Sequence, residues 1–303
     1  MSVVLVVLVV AALAGVAAFA VSASRRVAGD PIDPTVEKRA LVRWLAGHPR
    51  LARFMRERFD RRTRGGFLLT ASFLIVLVVG VVLGVLLDMI DEGSGLARLD
   101  ESVARWGADH STSDAVRVIE AVTQLGGTVV VTLVLAAVAT FDYVRRRNAE
   151  VFVFVAVVGI GVSVLNNALK LIVDRDRPQV LQLVSAAGSS FPSGHSAAAA
   201  ATWSAVALIL SRGRSPRVRA VLASVAAVVA IAVATSRTLL GVHWVTDVVA
   251  GLFVGWGWFL LVAIAYGGRA QRLGDPTSSH PEGLGASTAA EAPVTEGPQT
   301  RRS

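Results

Sequence analysis

The stretch from 151 to 173, VFVFVAVVGIGVSVLNNALKLIV, carries one formal charge, at Lys170. An apolar run of roughly twenty residues is long enough to cross the hydrocarbon core of a bilayer as one helix. It ends abruptly in Asp174-Arg175-Asp176-Arg177-Pro178, and proline cannot continue a helix. Comparable runs lie on both sides of it. They are Val3 to about Ala20, Phe67 to about Leu87, Val122 to Tyr143, a run from Gly194 to near Arg212, Val221 to Leu240, and Trp244 to Tyr266. A bilayer offers no water to satisfy backbone N–H and C=O groups, so separate runs of this length cross it as helices. The expected fold class is all-α, a polytopic membrane helix bundle.

Composition agrees. Of the 303 residues 53% are apolar, and the mean hydropathy is +0.60. That is more apolar and less charged than an ordinary soluble domain. A net charge of +8 raises the question of nucleic acid. No nucleic-acid module accompanies it, and basic and aromatic residues are not interleaved, so no nucleic-acid partner is expected. Cytoplasmic loops enriched in Arg and Lys account for the charge. There is no cysteine, which removes disulfides, thiol nucleophiles and Cys-ligated metals.

The run in 1–22 has a cleaved signal peptide as its rival reading. No basic residue precedes it, whereas Arg25 and Arg26 follow, so it reads as a membrane anchor with its N-terminus outside. Residues 23–66 form a basic segment in which Leu41, Trp44, Leu45, Leu51, Phe54, Met55 and Phe59 recur at helical spacing, with a break at Pro49. A basic amphipathic segment of this kind lies on lipid headgroups. Residues 67–267 hold the remaining spans. Residues 268–303, rich in Gly, Pro, Ser, Thr, Ala and Glu, are expected to be a disordered tail. With seven spans and an external N-terminus, the basic stretches 23–66, 145–147, 212–219 and 269–272 share one side. The positive-inside rule makes that side cytoplasmic. The acidic 88–122 connection, the 174–193 connection and the turn near 241–243 then fall outside.

Three polar islands interrupt the apolar chain, all at the expected outer ends of helices. The first runs from Lys170 to Arg177-Pro178, the second is Pro192-Ser193-Gly194-His195, and the third runs from Ser236-Arg237 to His243 and Asp247. Ionisable groups at such depth are expensive and mark function. Lys170, Arg177 and Arg237 place three cations on one side; Arg offers a planar fork to phosphate oxygens and Lys a point charge. Gly194 stands where a helix begins, and free N–H groups at a helix start attract anions. Asp247, four residues after His243, lies on the same face if both are helical, and can fix the imidazole tautomer so that the other nitrogen attacks. His195 is a second imidazole, suited to general acid work. Asp174 and Asp176 stand beside Arg175 and Arg177, which reads as local charge balance rather than a metal pair, so no metal is expected.

The three islands resemble, in order and at every fixed position, the K-x6-R-P, P-S-G-H and S-R-x5-H-x3-D motifs of the type-2 phosphatidic acid phosphatase superfamily. The resemblance covers residues 67–267 and implies a six-helix phosphatase core, to which this chain adds one N-terminal transmembrane helix. It implies catalytic His243, His195 and Asp247, with His243 forming a phosphohistidine, Asp247 orienting it and His195 protonating the leaving group. It implies that Lys170, Arg177, Ser193, Gly194 and Arg237 bind phosphate, without metal or other cofactor. The expected function is an integral membrane lipid phosphatase acting on phosphate monoester or diphosphate lipids, with its site on the extracytoplasmic side of the cell membrane. Phosphatidic acid, polyprenyl diphosphate, phosphatidylglycerophosphate and diacylglycerol diphosphate all fit a headgroup-level site. The alternatives are a vanadate-dependent haloperoxidase, whose site resembles this one, a non-catalytic phospholipid-binding or transport protein, and an intramembrane serine protease using Ser193. The last leaves the three cations without a purpose, and binding alone does not require the two histidines and Asp247.

Overall fold

The computed structural model describes residues 64–179, 183–184 and 188–274, with side chains from Leu69 to Tyr266. The N-terminal run, most of the basic segment and the tail beyond Gly274 lie outside the described residues. Among the described residues the secondary structure is entirely helical: α1 (Arg64–Asp91), a single 3₁₀ turn (Gly95–Ala97), α2 (Arg98–His110), α3 (Ser113–Gln124), α4 (Thr128–Arg146), α5 (Glu150–Val173), α6 (Gly194–Leu210), α7 (Pro216–Leu239) and α8 (Val245–Gly274). Five of these, α1, α4, α5, α7 and α8, are long and apolar enough to cross a membrane. Their outward faces carry large exposed apolar side chains such as Phe73, Leu133, Ile160 and Leu171, as a lipid-facing surface requires. The expected all-α multi-pass bundle is borne out.

The shortest apolar helix is its centre. α6 packs against α4, α5, α7 and α8, and its 17 residues extend over about 25 Å. Its interior consists of Ala197, Ala199, Ala200, Ala201 and Ala205, all fully buried. Gly251 and Gly255 on α8 face it, and a Cβ on Gly251 would stand 2.5 Å from the Ser193 carbonyl oxygen. Small residues four apart let two helix backbones approach in a membrane, where packing rather than the hydrophobic effect holds helices together.

Several boundaries differ from the expectation. The 88–122 connection contains two helices, α2 and α3. Val103, Trp106, Val116 and Ile119 on them pack against Leu239, Leu240 and Val242, where α7 turns towards α8. Their apolar spacing is helical, but their polar faces hide it from a search for spans. The third span starts at Thr128 rather than Val122, because Gly126-Gly127 separates α3 from α4. Gly126 is required there: a Cβ would meet the His195 carbonyl oxygen at 2.6 Å. α8 also continues beyond Gly267, to Gly274.

Candidate active site

Four chain segments converge at one end of the bundle. They are the end of α5 with the 174–193 connection, the start of α6, the end of α7, and the 240–244 turn with the start of α8. Lys170, Arg177, Gly194, His195, Arg237 and His243 line one end of a single cavity of about 900 Å³. From there the cavity runs between α4 and α5 past Val131, Leu135, Phe152, Val155 and Ile160. Three islands separated by tens of residues thus form one site.

Each cation is held by backbone or by a neighbouring helix. Lys170 Nζ donates to the Ser189 carbonyl. Arg177 Nε donates to Gly188 O at 2.9 Å and its Nη1 to Val242 O at 2.7 Å. Burial lowers the Arg177 pKa from its ordinary value, opposed by the Asp247 carboxylate. Arg237 is buried, and its Nη1 reaches Thr123 Oγ1 of α3 at 3.4 Å while Nε has no partner.

His243 is not on α8. It precedes Trp244 and the helix start at Val245, so the helical spacing argument for His243 and Asp247 does not apply as stated. A different device joins them. Asp247 stands in the first turn of α8 and its Oδ2 accepts from the Trp244 N–H at 3.0 Å, as a capping carboxylate does. That folds the 243–244 backbone over the carboxylate and leaves His243 Nδ1 3.5 Å from the same oxygen, with no closer partner. On the other side of the ring, Arg177 Nη1 lies 3.3 Å from Nε2. Arginine only donates, so Nε2 accepts and the ring proton sits on Nδ1, towards Asp247. Burial pushes the His243 pKa down to about 4, against the opposing pull of the Asp247 carboxylate. The imidazole is therefore neutral at physiological pH, with its lone pair on the cavity side.

Asp247 and Ser193 stand behind the cavity wall. Neither has solvent exposure. Ser193 donates its N–H to Asp247 O at 3.0 Å, and its Oγ accepts from Ser196 Oγ at 3.0 Å. It closes the turn that presents Gly194 and His195. The His195 side chain makes no hydrogen bond to another described residue.

The structure adds residues that the motifs leave open. Arg175 does not balance Asp174 or Asp176 as the sequence suggested. Its Nη1 donates to Asp247 Oδ1 at 2.6 Å and to Thr246 Oγ1 at 2.7 Å, and its Nη2 to Asp100 Oδ2 at 2.9 Å. Its charge partners come from other helices because Asp174 is the left-handed C-cap of α5, at φ 42°, which swings the chain around before Arg175. Asn166 lies one turn before Lys170, lines the cavity, and is 5% exposed with Oδ1 unpartnered. Its Nδ2 would lie 3.2 Å from a Cβ on Gly194. A buried unpaired amide is costly and marks a site. An asparagine on the face of Lys170, in a mostly apolar helix, was the sequence signal for it. Among the described residues no group of three or more His, Asp or Glu side chains is arranged to hold a metal.

The fold is a multi-pass membrane bundle with a cation-lined cavity among the described residues. The PAP2 superfamily model matches residues 150–270. Phosphatidylglycerophosphatase B of Bacillus subtilis is 31% identical over 147 residues, covering 48% of this chain and 72% of that protein. Lipid A 1-phosphatase of Rhizobium etli is 37% identical over 135 residues, covering 41% of this chain and 52% of that protein. The crystal structure of a transmembrane PAP2 type phosphatidylglycerolphosphate phosphatase from Bacillus subtilis matches with a TM-score of 0.58 at 25% identity, over 67% of this chain and 97% of that one. The chain belongs to the PAP2 superfamily.

Proposed function

We infer that the chain is a multi-pass membrane lipid phosphatase, and we propose that it cleaves lipid phosphate monoesters through a phosphohistidine on His243. The observation that carries this is the cavity itself: three cations and two imidazoles at one end, an apolar groove between two spans at the other. A phosphorylated headgroup suits the first and an acyl chain the second. The names of the relatives, a phosphatidylglycerophosphatase and a lipid A phosphatase, favour a terminal phosphate on a lipid, with phosphatidylglycerophosphate as the leading substrate.

An incoming phosphate takes Arg177 from His243 Nε2 and frees that lone pair. Nε2 attacks phosphorus in line; the bond from phosphorus to the lipid oxygen breaks, and His195, protonated once the phosphate dianion enters beside it, gives its proton to that oxygen. Lys170, Arg177, Arg237 and the Gly194 N–H hold the three equatorial oxygens, where charge spreads in a loose transition state. Asp247 holds the Nδ1 proton. His195 then takes a proton from water, water oxygen attacks phosphorus, and the P–N bond returns its electrons to Nε2.

The site faces away from the cytoplasm. Arg145, Arg146, Arg147, Arg212, Arg214, Arg217 and Arg219 cluster at the opposite end of the bundle, and basic ends stay inside. The chain has no cysteine, so one introduced at exposed Ser113 or exposed Ser215 is unique. In intact cells an impermeant thiol reagent labels the Ser113→Cys variant alone; the reverse pattern overturns the orientation. For the activity, detergent-purified chain is given phosphatidylglycerophosphate, phosphatidic acid and a polyprenyl diphosphate. Phosphate release, fastest from the first, is expected. Release from none of the three, by protein that still binds vanadate, overturns the reading.

A further inference from the structure

The carboxylate that orients His243 poses an electrostatic problem. Asp247 has no solvent exposure, and a buried carboxylate is costly unless a cation pairs with it. His243 supplies no such charge in the resting site, because burial keeps it neutral. Arg175 supplies it, at 2.6 Å. Yet a carboxylate neutralised by an arginine has little field left for its histidine. When Nε2 takes up a phosphoryl group the ring becomes cationic, and the Asp247–Arg175 pair beside it sums to zero.

Asp100 completes the sum. It comes from α2, 75 residues before Arg175, and its side chain is only 6% exposed. Its Oδ1 accepts from the Thr246 N–H at 3.0 Å and its Oδ2 from the Thr246 hydroxyl at 2.7 Å. Arg175 is held in turn by Thr246 Oγ1 and by the Trp244 ring, 5.4 Å from its guanidinium carbon. One cation between two carboxylates gives the cluster a net charge of −1 directly behind His243. Charges this close and this dry interact strongly.

We propose that Asp100 and Arg175 are positioning residues of the phosphoryl-transfer step, Arg175 pairing the buried Asp247 and Asp100 restoring the negative charge that the phosphorylated imidazole needs. This rests on the phosphohistidine reading, and turnover by the unmodified chain is the control: without it that reading fails first. The full chain in detergent is assayed on phosphatidylglycerophosphate, with vanadate inhibition as the measure of an intact cradle. Asp100→Asn keeps the shape and removes the charge. It should lower kcat by about 10–100-fold, the usual cost of an outer partner, with KM and vanadate inhibition within about twofold of the unmodified chain. Arg175→Met leaves two buried carboxylates without a cation and should be worse. The double variant Arg175→Met/Asp100→Asn removes one of them and should recover activity above Arg175→Met alone. Glu101→Gln, on the exposed face of α2, should match the unmodified chain. An unchanged kcat in Asp100→Asn overturns the proposal, and so does a double variant no better than Arg175→Met. Loss of vanadate inhibition in Asp100→Asn also overturns it, since Asp100 would then hold the cradle and not the charge.

Discussion

Two ion-pair clusters, each built around buried aspartate, stand at opposite ends of the bundle, and their compositions are inverted. Behind His243, one arginine lies between two aspartates: Arg175 with Asp100 at 2.9 Å and Asp247 at 2.6 Å. At the basic end, one aspartate lies between two arginines: Asp142 with Arg146 at 3.1 Å and Arg212 at 3.0 Å. The first sums to −1 and the second to +1. The second ties the end of α4 to the end of α6, and Arg146 Nη2 also donates to the Arg212 carbonyl at 3.1 Å. The same residue types therefore do two jobs. Unmet polar groups tell the jobs apart. Beside the first cluster, His243 Nδ1, Arg237 Nε and Asn166 Oδ1 are buried without a hydrogen-bond partner. Among the described residues the remaining such atom, Thr202 Oγ1, sits in the middle of α6, and none lies at the basic end.

The largest effect that would sharpen this contrast is loss of His243. On the proposed mechanism His243→Ala removes the bond-forming atom, so turnover should vanish for every substrate while vanadate, held by the cations, still binds. The unmodified chain should keep its rate in excess EDTA; a rate lost to EDTA and restored by added metal would remove the cations from their role. Next comes Asp247→Asn, expected to cost about 10⁴ in kcat, as for other histidines deprived of their orienting carboxylate. The pH profile gives the sign. His243 must be neutral to attack, and its pKa is held at about 4, so kcat/KM should fall as pH drops through about 4. Asp247 raises that value, so Asp247→Asn should move this acid limb to lower pH. Movement to higher pH would mean that Asp247 is not the partner of His243.

His195→Ala should cost about 10²–10⁴, the usual worth of a general acid. That cost should shrink on an aryl phosphate whose leaving group needs no proton. If His195→Ala is equally impaired on both substrates, His195 binds rather than protonates. Smaller again, Asn166→Leu should lower kcat/KM by about tenfold, the worth of one hydrogen bond to a charged group, with no loss of Tm. A loss of Tm alone would make Asn166 a packing residue.

The spans and the polar islands that meet at one cavity were legible because a membrane writes both strongly. Apolar runs give the helices, and any ion set in them stands out, as Lys170 does in α5. α2 and α3 were not legible as helices because their half-polar faces look like loop to a hydropathy reading. Arg175 was misread because sequence neighbours suggest local pairing. The left-handed turn at Asp174 carries the guanidinium instead to Asp100 and Asp247, which sequence distance conceals. His243 and Asp247 lie 3.5 Å apart, but not for the reason their spacing suggested. A capped turn, not a shared helix face, brings the two together.

The smallest effect belongs to the basic end, and it decides whether the two clusters are separate in function. Asp142→Asn removes the carboxylate that two arginines share. Asp142 has a side-chain exposure of 5%, but Arg146 is 47% and Arg212 28% exposed, so both guanidinium groups can turn to water. The cost should therefore fall well below the roughly 3–5 kcal/mol of breaking a fully buried pair, at about 1–2 kcal/mol. Thermal unfolding in detergent should show this as a Tm lower by a few degrees, with kcat on the lipid substrate unchanged. Asp100→Asn, the same chemical change at the other end, should do the reverse and cut kcat while leaving Tm nearly in place. If Asp142→Asn lowers kcat as far as Asp100→Asn does, the basic end is coupled to the chemistry through α6, and its ion pairs are more than a clamp on helix ends.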